Sequence, residues 1–216
     1  MNLHSESKPV TKVGFVGLGG WGRQIAARVV RCSDLDIVAC YDVQPELRKR
    51  FSVEFGGSTC ETYEQMLSTP GLDAVFNATA NHVHSQTVIA AAEHGLHVFV
   101  EKPIANTVAE AQLMIDACEQ AAVVLFVGHC HRRHPVFRTM KEIIDSDEIG
   151  RPIMVEANVS HGGGRNMPPE HWRCSRETCP ATPMMQLGVH AIDTMHYLLG
   201  PSVAASGMLA HLSAPS

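Results

Sequence analysis

Three glycines, Gly17, Gly19 and Gly22, stand in the stretch Val-Gly-Phe-Val-Gly-Leu-Gly-Gly-Trp-Gly, directly behind an apolar run. Glycines at this spacing allow a sharp turn, a close backbone approach to a ligand and tight packing of a helix on a strand. A helix that starts there offers unpaired N–H groups and a positive dipole end, which suit a pyrophosphate. Gly20 and Trp21 belong to the same turn and are counted with it as cofactor-binding residues. Asp42 lies 20 residues past Gly22, at the end of the next apolar run. A carboxylate there accepts hydrogen bonds from both adenosine ribose hydroxyls and repels a 2′-phosphate. Val43 follows it, where an arginine would favour the phosphate, so the expected cofactor is NAD, with NADP less favoured. Arg48 and Lys49 are near enough in sequence to weaken that preference.

A second site of chemistry is Glu101-Lys102-Pro103, after the apolar run 97–100. Ligands of open α/β sheets bind beyond the carboxyl ends of the strands, so Lys102 emerges where a nicotinamide would lie. An amine in that place can exchange a proton with a substrate hydroxyl. Other constellations carry less. Tyr41, Tyr63 and Tyr197 all lack a lysine four residues on, and no Gly-x-Ser-x-Gly elbow is present. His129, His131 and His134 surround Cys130, but no second ligand cluster stands at zinc spacing, and Cys174 and Cys179 are too widely spaced for a CxxC knuckle. No metal is expected. Gly162-Gly-Gly164 before Arg165 is expected to form a mobile loop, a candidate lid over the substrate.

Such groups need a parallel sheet with helices on both faces to position them. The apolar runs 13–17, 37–41, 74–78, 97–100 and 123–127 are expected strands, with helical patterns between them. Ile25, Ala26, Val29 and Val30 make one apolar stripe. Thr107-Val-Ala-Glu110 is a capping box that opens a helix carrying Leu113, Met114 and Ala117. Beyond residue 128 the pattern changes: Pro135 opens an amphipathic helix, and 153–160 alternates apolar and polar residues as a strand covered on one side does. The expected domains are therefore 1–128, a Rossmann dinucleotide-binding domain, and 129–216, a partial α+β domain for substrate binding and oligomerisation.

Composition narrows the function classes. The 216 residues are 45% hydrophobic and 18% charged, enough to bury a core. A net charge of −5 gives no footprint for nucleic acid or an acidic membrane surface. No apolar stretch approaches the roughly 20 residues of a membrane span. Seven cysteines without framework spacing suit free thiols in a reducing cytoplasm.

The stretches VGFVGLGGWG, NATANHVHSQTVIAAAEHGLHVFVEKP, GHCHRRHPVFRTMKEIIDSDEIGRP and QLGVHAIDTMHYLLG, in this order, resemble the Gfo/Idh/MocA oxidoreductase family. The resemblance runs from Val13 onward. It implies a Rossmann domain followed by an α+β domain with a mostly antiparallel sheet, and hydride transfer between a nicotinamide and a sugar, inositol or similar polyhydroxy substrate. By the same resemblance Lys102 is the proton donor or acceptor and His190 its relay partner, and Glu101 contacts the nicotinamide-side ribose. Thr79, Asn81 and His82 match the loop along the middle of the cofactor, and His84 is that motif's second histidine. Asn81 reads equally well as a helix cap. His129 and Arg133 match the segment bordering nicotinamide and substrate, and Trp172 and Arg173 a Trp-Arg pair near the substrate.

Two departures stand out. Gln186 replaces an aspartate common in the family four residues before His190, and at helical spacing the two should share a face. Glutamine cannot take a proton, which motivates a second function, a catalytically impaired nucleotide-binding sensor or regulatory subunit. Ala181-Thr-Pro183 also replaces glycines. The chain stops after an expected strand at 203–212, well short of family length. It is therefore expected to be C-terminally truncated, less stable than longer relatives, and part of a homo-oligomer when full length.

Overall fold

The computed structural model describes residues 9–160, 162 and 166–208. The chain forms two compact units, residues 1–127 and 128–216. In the first, β1 (Thr11–Val16), β2 (Leu35–Tyr41), β3 (Ser58–Thr59), β4 (Ala74–Asn77), β5 (His97–Val100) and β6 (Leu125–Val127) form one sheet. Its order is β3-β2-β1-β4-β5-β6, and every pairing is parallel. The order reverses at β1 and β4, where doubly wound sheets open a crevice for ligands. Between the strands run α1 (Gly20–Val29), α2 (Pro45–Phe55), α3 (Tyr63–Leu67), α4 (His84–Glu93) and α5 (Val108–Gln120).

Alternation along β1 explains why both faces are covered. Val13 and Phe15 are fully buried with Ala26 and Phe51 of α1 and α2, while Val16 joins the opposite cluster with Val88, Ala91 and Met114. Phe15, Phe76, Phe99 and Phe126 stand in register on four adjacent strands and stack in a row, with centroids 4.9, 5.0 and 5.6 Å apart. Such contacts add about 0.5–1.5 kcal/mol each beyond area burial. The five expected strands are all present. The sixth, β3, is two exposed residues that carry no apolar signal.

The second unit contains α6 (Pro135–Asp145), a 3-10 turn at Trp172–Cys174, a π-helical turn at Met184–Gly188 and α7 (Val189–Leu199). Here two expectations are corrected. Residues 153–160 are irregular rather than a strand, and among the described residues this unit has no strand at all. A strand exists through its ladder, and among the described residues none pairs with 153–160; Ile153 is 98% exposed. Residues 203–208 of the expected strand 203–212 are likewise irregular, and 209–212 lie outside the described residues. The same holds for residues 163–165 of the expected lid, while Gly162 is exposed. No helix among the described residues is long and apolar enough to cross a membrane.

The capping box at α5 forms as expected: the Thr107 hydroxyl accepts from the Glu110 N–H at 3.1 Å, and the Glu110 carboxylate accepts from the Thr107 N–H at 3.0 Å. Thr107→Ala should lower stability by about 1 kcal/mol in urea denaturation. An unchanged midpoint would show that the box contributes nothing to α5.

Candidate functional site

The turn from β1 to α1 is built by backbone contacts that no side chain could share. Gly17 has φ +83°, and a Cβ there would lie 2.5 Å from the Ala78–Thr79 peptide. A Cβ on Gly22 would fall 2.1 Å from the Gly17 carbonyl oxygen. Gly19 and Gly20 differ: a Cβ on either would meet nothing within 4 Å. The turn is thus packed against protein at its two ends and open in the middle, beside the first N–H groups of α1. Open space of this kind fits a pyrophosphate, which side chains at 19 and 20 would displace.

Asp42 is fixed from both sides. Its Oδ2 accepts from the Leu18 N–H at 2.8 Å and its Oδ1 from the Gln44 N–H at 3.0 Å. A carboxylate has about four lone-pair sites, so two remain for ligand hydroxyls. Arg48, raised by the sequence as a possible phosphate partner, is 7% exposed. It is already engaged: it donates to the Asp42 and Glu61 carbonyls at 3.2 and 3.4 Å and pairs with the Glu61 carboxylate at 2.7 Å.

The carboxyl ends of β4 and β5 are tied together by buried polar groups. Asn77, 1% exposed, donates to the Thr87 hydroxyl and accepts from both the N–H and the hydroxyl of Thr79. Asn81 is buried and opens a 3-10 turn, Asn81–Val83, that leads directly into α4. His82 is exposed. His84 is fully buried between two segments, with Nδ1 3.0 and 3.2 Å from the Pro103 and Ile104 carbonyls and Nε2 3.2 Å from that of Thr79. This histidine, a motif member without an assigned task in the sequence, joins the Thr79 loop to the Lys102–Pro103 turn. Glu101 is buried beside Lys102, whose N–H it accepts at 3.2 Å. Burial pushes the Glu101 carboxyl up, against the Trp21 indole and the Lys102 charge, which pull it down.

In the second unit the structure assembles a different set. Arg132, not singled out by the sequence, makes a two-pronged pair with Asp193, through Nε at 2.9 Å and its terminal nitrogen. His129 Nδ1 lies 3.7 Å from the same carboxylate. Arg132, Arg133, Arg138 and Tyr197 line a cavity of about 320 Å³. His134 caps α6 through Val136 N–H. His131 stacks on His190 with centroids 4.3 Å apart. The Arg173 guanidinium lies over the Trp172 ring at 4.4 Å and donates to Gln186 Oε1 at 3.2 Å.

Gln186 accepts from Arg173 and donates to Cys179 Sγ at 3.4 Å. Gln186 sits in the π-helical turn that precedes α7. Only the fold could reveal the Arg132–Asp193 pair, because 61 residues separate its members.

Comparison with known proteins follows from this geometry. Residues 11–129 match the family model described as oxidoreductase family, NAD-binding Rossmann fold, and residues 137–215 match the GFO/IDH/MocA C-terminal domain. The 1,5-anhydro-D-fructose reductase of Ensifer adhaerens is 29% identical over 92% of this chain and 59% of its own length. The D-xylose 1-dehydrogenase [NADP(+)] of Haloarcula marismortui is 28% identical over 92% of this chain and 57% of its own. The WlbA dehydrogenase of Bordetella pertussis, solved in complex with NADH and UDP-GlcNAcA, superposes with a TM-score of 0.83. It is 27% identical, covering 90% of this chain and 57% of the other. The chain thus spans somewhat more than half the length of these relatives.

Burial holds the His84 pKa below the usual 6.5, the three carbonyls pulling the other way. A lowered folded value means that the unfolded chain takes up this proton first on acidification. The ring's contribution is complete above pH 6.5 and is lost as pH falls toward the folded value. Between about pH 8 and 5 the parent should therefore lose stability more steeply than His84→Gln. Parallel stability–pH curves from chemical denaturation would refute this.

Proposed function

This chain belongs to the GFO/IDH/MocA oxidoreductase family, and from that premise we propose that it is an NAD(H)-dependent oxidoreductase acting on a sugar or similar polyhydroxy compound. The observation that carries the reading is the β1–α1 turn, closed at Gly17 and Gly22, open at Gly19 and Gly20, and flanked by a pre-oriented Asp42. A bound nicotinamide would supply or accept the hydride. The α1 N–H groups would hold the pyrophosphate, and Asp42 would take the adenosine ribose hydroxyls on its two remaining lone-pair sites. Trp21, Thr79, Asn81, His82, Glu101 and His129 would complete the cofactor's surroundings.

Lys102 would give or take the hydroxyl proton, with His190 as its relay partner. Arg133, Trp172, Arg173 and Gln186 would contact the substrate, where the Arg173 guanidinium, 4.4 Å over the Trp172 ring, would offer several donors to hydroxyls. NAD is favoured over NADP by two features together. The Asp42 charge repels a 2′-phosphate, and the one buried arginine nearby is engaged with Glu61. A sensor that binds the nucleotide without turnover is the second reading. It is favoured by Gln186, which donates to Cys179 and accepts from Arg173 but cannot accept a proton.

Calorimetry should find NADH bound at least about tenfold more tightly than NADPH, a difference of about 1.4 kcal/mol that Asp42→Ala should erase. With a polyol panel, Lys102→Ala should retain NADH binding while turnover falls about 10²–10⁴-fold. Folded protein with no affinity for NADH or NAD would end the proposal. Binding without turnover across the panel would favour the sensor.

A further inference from the structure

Three donor groups of the second unit meet in a way that the nicotinamide reading does not require. Cys130 Sγ and one ring nitrogen each of His131 and His190 all lie within 4.8 Å of one another. The sequence shows a Cys-His pair with no ligand at zinc spacing; the fold supplies the third from 59 residues beyond His131. Cys130 is exposed and both histidines are half-buried, so an ion could reach the group from solvent.

The donors are carried on braced pieces of chain. His131 begins a 3-10 turn, His131–Arg133, and His190 lies in the first turn of α7. Arg132, next to His131, is paired with Asp193, three residues past His190, so the ion pair ties the two elements together. Phe137 packs on the outer face of the His131 ring, with centroids 5.7 Å apart. The two imidazoles are nearly parallel, at 19°, and keep their stack between Phe137 and α7. A tetrahedral zinc with bonds of about 2.0–2.3 Å keeps its donors about 3.3–3.6 Å apart, so the three atoms must close by at most roughly 1.5 Å. A ring nitrogen's lone pair lies in its ring plane, so the two stacked imidazoles must also tilt out of their stack to meet on one ion.

We propose that Cys130, His131 and His190 bind one divalent cation of the zinc class, with the fourth coordination position open. A thiolate with two imidazoles suits zinc and disfavours magnesium or calcium, which take oxygen ligands. Three protein ligands with one open position is the arrangement of zinc sites that bind water or a substrate oxygen, so the fourth ligand is a hydroxyl or carbonyl oxygen. A bound ion occupies a His190 lone pair, so coordination and proton relay by that nitrogen exclude each other at any moment. The cation site does not depend on dinucleotide binding, whose carrying observation, the β1–α1 turn, lies in the first unit.

The test is titration of chelator-stripped, reduced protein with Co²⁺. One equivalent should bind, giving a near-ultraviolet thiolate-to-cobalt band and intense visible bands of tetrahedral cobalt, both removed by Zn²⁺. Cys130→Ser should abolish the ultraviolet band. His131→Phe keeps a ring between Phe137 and His190 and should weaken binding by at least the about 10–100-fold that losing an outer-shell partner costs. Circular dichroism confirms that both variants fold. Absence of stoichiometric uptake overturns the site, as does an ultraviolet band that survives Cys130→Ser or an affinity unchanged in His131→Phe. NADH titration of the same samples separates the two proposals. NADH binding without cobalt uptake removes only the cation site, and cobalt uptake without NADH binding removes only the nicotinamide reading.

Discussion

The first unit depends on one steric crossing: the Gly17 carbonyl passes where a side chain on residue 22 would begin. Because α1 starts at Gly20, this contact sets how closely the helix lies on β1. The Leu18 N–H, freed by the tight turn, is taken by Asp42 rather than by water. An unpaired buried N–H costs about 1–3 kcal/mol, so the turn and the carboxylate stabilise one another. The same carboxylate is held in a fixed orientation, so under the proposed function it would meet a ligand without further ordering.

A comparable economy holds at the neighbouring strand ends. Asn77 satisfies the Thr79 backbone and hydroxyl, and the Thr87 hydroxyl in turn donates to the Val83 and His84 carbonyls. His84 faces carbonyls at both ring nitrogens. A neutral ring can donate from only one of them, so burial and hydrogen bonding oppose each other at this position, and burial prevails. The Thr79 loop and the Lys102 turn are thereby joined through a single side chain in the interior.

How much of this was legible in the sequence divides along the same line as the two units. The turn, Asp42, the Thr107 cap and five strands were readable because each is governed by local rules: glycine spacing, an N-cap, short apolar runs covered on both faces. β3 was not, since two exposed residues leave no pattern. In the second unit the period-two run at 153–160 was a true alternation without a ladder to make it a strand. The spacing of Gln186 and His190 was read on a regular helix, and neither the π-helical turn at Met184–Gly188 nor the Arg173 contact of Gln186 left a signal in the sequence. Arg48 could be named but not placed; its pairing with Glu61 is a contact of the folded chain. The place of Lys102 beyond a strand end suggested its role, whereas for His190 only the resemblance to a family supplied one.

The two units therefore carry specificity in different ways. In the first, the proposed cofactor would be met mainly by backbone amides and one clamped carboxylate, and such contacts tolerate wide change in the surrounding side chains. That would suit a cofactor of constant shape. In the second, the available chemistry is side-chain chemistry on short helical pieces: a guanidinium on an indole, a stacked imidazole pair beside a thiol, three arginines around a cavity. A single substitution among these changes charge or ligating power outright, as Gln186 does where an acid would take a proton. Divergence in substrate on one fold is expected where individual side chains decide the outcome, and that condition is met in the second unit rather than the first.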